Sequence, residues 1–88
     1  MTFGTTSSGT FYYFNNKHQS IPIVFIHGVG LTHEIWEPQL NFFKKNNTIS
    51  YDILGHGKTP LKKNKISFDD FSDQLINLID ELKIDKIH

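Results

Sequence analysis

The sequence predicts an α/β fold with a doubly wound, mostly parallel sheet. Three observations carry that prediction. Ile21-Pro22-Ile23-Val24-Phe25-Ile26 is an unbroken apolar run rich in β-branched residues, so it reads as a strand, and its lack of polar alternation marks a strand buried on both faces. It ends on a glycine turn, His27-Gly28-Val29-Gly30, that leads into a helical pattern. A second strand, a second glycine turn and a longer helical pattern follow, so strands and helices alternate along the chain.

Taken in order, residues 1–9 are mostly Thr, Ser and Gly, a flexible lead-in or a weak edge strand. Thr10 to Phe14 is aromatic and strand-like, and Asn15 to Ser20 is a polar turn. The apolar strand at residues 21–26 comes next. A helix is expected from about Glu34 to Lys45, with Trp36, Leu40 and Phe43 on one apolar face. Pro38 falls near its first turn, where a missing N–H costs little. Glu34 and Glu37 lie at its positive end, Lys44 and Lys45 at its negative end. Thr48 to Leu54 reads as the next strand, Gly55 to Pro60 as the second glycine turn and Leu61 to Lys65 as a solvated link.

The clearest helix runs from Ser67 to about Lys83, opened by a Ser67/Asp70 capping box. Phe68, Phe71, Leu75, Leu78 and Leu82 recur at 3-4-3-4 spacing, supported by Ile76 and Ile79. About two heptads are too few for a coiled coil, so this face should cover the sheet. Lys86 to His88 begins another strand. Two helices and a strand that has barely started make the pattern look like the amino-terminal part of a single larger domain spanning residues 1–88.

Composition narrows the function. Nine Lys balance nine acids with no Arg, which argues against a nucleic-acid partner. There is no Cys, so neither disulfides nor thiolate chemistry are available. The start lacks the basic and apolar regions of a signal peptide, and no apolar run reaches the length of a membrane span, so the expectation is a cytoplasmic protein with no membrane partner.

Several chemistries compete for the glycine turns. A dinucleotide site would use Gly28 and Gly30 with Asp52 as the ribose-binding acid, but His33 stands where a third glycine should let the helix pack closely. Gly57-Lys58-Thr59 has phosphate-loop residue types, yet Pro60 follows at once and the loop is too tight, so it reads as a surface turn. His27, His33 and His56 lack metal-ligand spacing and any Cys support, so turn-structuring roles are favoured and no metal or cofactor is expected. Acyl transfer needs backbone N–H groups aimed at a developing oxyanion, and a glycine turn after a strand supplies them: Gly28 would let the chain turn, leaving the Val29 and Gly30 amides free.

The run Ile21 to Gly30, then Trp36-Glu37-Pro38-Gln39-Leu40, then Tyr51-Asp52-Ile53-Leu54-Gly55-His56-Gly57-Lys58-Thr59-Pro60 resembles the amino-terminal third of the α/β-hydrolase fold superfamily, in the style of its esterase, enol-lactonase and haloperoxidase-like branch. The resemblance covers about residues 10 to 88. It implies a small-molecule acyl substrate, with the Val29 N–H as one oxyanion-hole donor. The candidate substrate-binding residues would be His27, Gly28 and Gly30, which shape that loop, and Trp36, which would pack the first helix near the pocket, with simple core packing as its alternative role. Asp52, Gly55 and Gly57 match a mainly structural D-x-x-G-x-G-x-S loop, from which Leu54 and Thr59 depart. The nucleophile elbow G-x-S-x-G is not among these residues, so the nucleophile, acid and catalytic His would lie beyond His88. The rival reading is a non-catalytic truncated fold or binding module.

Overall fold

The computed structural model describes residues 2–88, as one four-stranded sheet with a helix on each face. β1 (Thr2–Thr5) and β2 (Phe11–Asn15) form an antiparallel hairpin, so the lead-in residues take the edge-strand alternative, Met1 lying outside the described residues. β3 (Ile23–Ile26) is followed by a 3-10 turn, His33–Trp36, and helix α1, Glu37–Phe42. β4 (Thr48–Tyr51) and helix α2 (Phe68–Glu81) complete the chain.

The spatial order is β1-β2-β4-β3. β2 joins β4 antiparallel, with Tyr12 opposite Tyr51, and β3 joins β4 parallel, with Ile26 opposite Tyr51. The sheet is therefore mixed: its parallel part is the β3–β4 pair, because the aromatic hairpin enters from the other direction. On the far side of β3, the His88 N–H donates to Pro22 O at 2.8 Å and the Val24 N–H to His88 O at 2.9 Å. These two bonds are the pattern of one parallel bridge, at the place where the sequence predicts that another strand begins.

Strand alternation sorts the two faces. Ile49 and Tyr51 of β4 point to one side, where they form the core with Ile53 and Leu78, flanked by Tyr12, Phe14, Val24, Phe71, Leu75 and Leu82. Burial pushes the Tyr51 hydroxyl up to about 12, so the ring is neutral in the core. Phe25 points to the other side and packs against Trp36 and Phe43. Helices on opposite faces make the fold doubly wound.

Three expectations need correction. The strand buried on both faces is β4, not β3: Thr48, Ile49, Ser50 and Tyr51 are all buried, whereas Ile26 is half exposed. β4 has β2 and β3 as neighbours and a helical segment on each side, while β3 has β4 and that one bridge. The first helix is shorter than predicted, because residues 33–36 wind as 3-10 before the α-helix starts at Glu37 and the chain turns at Phe43. In α2, the Asp70 carboxylate accepts from the Ser67 N–H at 2.8 Å, as the capping box predicts, but Phe68 is 88% exposed and lies outside the buried stripe. Gln74 is buried there instead. The helix ends where Lys83 takes a left-handed φ of 59° and the Ile84 N–H reaches back to Ile79 O. Among the described residues no helix is long and apolar enough to cross a membrane.

Candidate active site

Parallel pairing of β3 with β4 brings their carboxyl ends together, and with them the two glycine turns. Asp52, the first residue after β4, joins them. Its carboxylate is fully buried. Oδ1 accepts from the His33 N–H at 2.7 Å and faces His33 Nδ1 at 2.8 Å, and Oδ2 accepts from the Lys58 N–H at 2.9 Å. Burial opposes ionisation of Asp52, but the His33 and Lys58 amides and the His33 ring outweigh it and hold the carboxyl below the usual aspartate range. Asp52 thereby ties the start of the first helical segment to the second glycine turn.

Gly57 lies directly on this carboxylate. Its φ is +50°, and a Cβ there would collide with the Asp52 oxygens. The Thr59 hydroxyl, also buried, accepts from the Phe11 N–H at 3.0 Å and ties the same turn to β2. These bonds remove the dinucleotide alternative, since the proposed ribose-binding acid is enclosed and saturated by protein donors. The Lys58 amide is likewise committed to Asp52 rather than to a phosphate.

The first glycine turn closes with the Leu31 N–H on Gly28 O at 3.2 Å. Its conformational demand falls on Gly30, at φ +88°, rather than on Gly28, where an added Cβ would meet only Leu31 Cδ1 at 3.9 Å. His27 is buried beneath the turn. Its Nδ1 lies 2.8 Å from Gly28 O, and its Nε2 accepts from the Ile53 N–H at 3.1 Å. The Gly30 N–H, which sequence reasoning leaves free, donates to His56 Nε2 at 3.0 Å. The Val29 N–H makes no hydrogen bond among the described residues, and its side chain is 84% exposed.

Of the predicted site residues, His27, Gly28, Val29 and Gly30 therefore come together at one turn. Trp36 stands apart, its ring tilted against Phe25 with the centroids 5.2 Å apart. Sequence reasoning missed the contact from His56 to Gly30, for which no local signal exists. It also missed Gln74, whose amide donates to Asp52 O at 3.0 Å and Thr10 Oγ1 at 3.2 Å while accepting from the Leu54 N–H at 3.1 Å. Gln74 was findable, because it sits three residues after Phe71 and four before Leu78, inside the apolar stripe of α2.

No protein-family model matches the chain. It is 33% identical over 88 residues to (E)-2-((N-methylformamido)methylene)succinate hydrolase of Acinetobacter baylyi, covering 99% of this chain and 33% of that protein. It is 28% identical over 75 residues to 3-oxoadipate enol-lactonase 1 of the same organism, covering 84% of this chain and 28% of that one. Among solved structures, a bromoperoxidase from Bacillus anthracis superposes with a TM-score of 0.87 at 22% identity, over 98% of this chain and 33% of that chain. The fold is that of the α/β hydrolases, and the chain is similar in sequence to a hydrolase and an enol-lactonase. It spans about a third of the length of the curated relatives it matches.

Proposed function

We propose that these residues are the amino-terminal part of a cytoplasmic serine-type α/β hydrolase acting on a small ester, lactone or similar acyl compound. The observation that carries the reading is the Val29 amide, unbonded at a strand end where the flanking peptide groups are committed to protein partners. In this reading a serine outside the 88 residues attacks the acyl carbon. The Val29 N–H then donates to the oxygen as it becomes negative, and a second donor comes from the residue after the nucleophile. His27, Gly28 and Gly30 shape the loop, and Trp36 fixes the helix that borders it. The exposed apolar side chains of Ile26, Ile35 and Phe42 are surface that a larger domain would bury.

The coding sequence after His88 tests this directly. A G-x-S-x-G elbow is expected within about a dozen residues, because the elbow follows the strand that begins here. The 88-residue chain by itself should leave p-nitrophenyl esters intact. Lack of the elbow would leave a non-catalytic α/β module, and turnover by the isolated chain would refute the assignment of the nucleophile beyond it.

A further inference from the structure

Two imidazoles lie side by side between the glycine turns, their ring centroids 5.5 Å apart. His27 belongs to the first turn and His56 to the second, and each makes the same two contacts in opposite directions. His27 places Nδ1 on its own turn's Gly28 O at 2.8 Å and receives the Ile53 N–H from the other side on Nε2 at 3.1 Å. His56 places Nδ1 on Leu54 O at 3.0 Å and receives the Gly30 N–H on Nε2 at 3.0 Å. A backbone N–H only donates and a carbonyl oxygen only accepts. Each ring must then carry its proton on Nδ1 and leave Nε2 bare, so the four bonds coexist only while both rings are neutral.

The contacts fall on the two peptide groups that flank Val29. Gly28 O and the Val29 N–H belong to one trans peptide and point in opposite directions. Drawing Gly28 O down onto His27 therefore turns the Val29 N–H outward. The next peptide is held through its own N–H by His56. We propose that His27 and His56 form a reciprocal clasp that positions the first glycine turn with the Val29 amide outward, and that the clasp opens when either ring is protonated. Its catalytic meaning rests on the oxyanion reading above; its existence does not. The titratable groups facing the pair are Asp52, whose Oδ1 lies 4.0 Å from His27 Nε2, and His33, which holds that same oxygen.

Imidazole ¹⁵N spectra of the 88-residue chain test the clasp without substrate. At neutral pH, His27 and His56 should both have a pyridine-type Nε2 and a pyrrole-type Nδ1. His18, whose Nε2 faces Lys44 O at 3.1 Å, is the internal contrast. The Gly30 and Ile53 amides should be protected from exchange together and lose protection together on acidification, while the amide of Leu82, which caps α2 and is bonded to Leu78 O, keeps its own. His56→Ala should speed Gly30 exchange roughly tenfold, as loss of one hydrogen bond does. His56→Gln retains an acceptor but cannot take a proton, so it should restore Gly30 protection and abolish its acid response. Free-imidazole tautomer ratios in the wild type, including those of an unfolded chain, overturn the clasp. So does an acid response that survives in His56→Gln. If His56→Ala does not fold, these two measurements still decide. A failed clasp leaves Val29 as a candidate donor, and a missing elbow leaves the clasp intact.

Discussion

Replacing Asp52 by Asn probes the joint between the two glycine turns. Asn has nearly the same shape, and its one carbonyl oxygen can stand where Oδ1 accepts from the His33 amide and faces the His33 ring. The amide NH₂ then falls at Oδ2, facing the Lys58 N–H, and a buried donor loses its acceptor at a cost of about 1–3 kcal/mol. The remaining bonds lose their charge assistance, which roughly halves their strength. The total is about 2–4 kcal/mol, a large share of the roughly 5–15 kcal/mol that holds a domain together. Urea unfolding followed by Trp36, the single tryptophan, should report a lower midpoint with an unchanged slope. The effect must also depend on pH. The folded carboxyl of Asp52 lies below the usual range, so its contribution is fully present above the unfolded value of about 3.9 and is lost as pH falls through the lower folded value. The wild-type advantage over Asp52→Asn should therefore be constant near neutrality and shrink in strong acid. An advantage that stays the same down to about pH 2, or that grows as pH falls, would refute the account of a buried, ionised Asp52.

The glycines should separate under alanine substitution. Gly57→Ala combines a left-handed φ with a collision against the Asp52 carboxylate and should prevent stable folding. Gly30→Ala, with open space around it, should cost only the backbone strain of about 1–2 kcal/mol, and Gly28→Ala less still, as ranked by urea midpoints. On α2, Leu78→Ala should cost about 2–5 kcal/mol by the same assay because Leu78 is fully buried in the core. Phe68→Ala, on the exposed side, should stay within about 0.5 kcal/mol of wild type, reversing the ranking that side-chain size alone suggests.

Much of the molecule was legible in the residues themselves. Ser67 and Asp70 mark where α2 begins, Pro38 sits in the first turn of α1, and the apolar run at residues 21–26 supplies a strand that leads into a glycine turn. Each of these depends on neighbours a few residues away, so spacing and chirality suffice to read it. Tertiary structure decided what depends on residues far apart in sequence. It put β4 rather than β3 at the centre, since burial follows strand order, and strand order is a matter of non-local pairing. It turned Phe68 outward and Gln74 inward, because the angle at which α2 meets the sheet selects which part of an apolar stripe is covered. At the glycine turn the sequence located a cluster of free-looking amides. Only the approach of His56, 26 residues away, decided that Gly30 is bound and Val29 is not, because an N–H is occupied or free according to what the fold brings beside it.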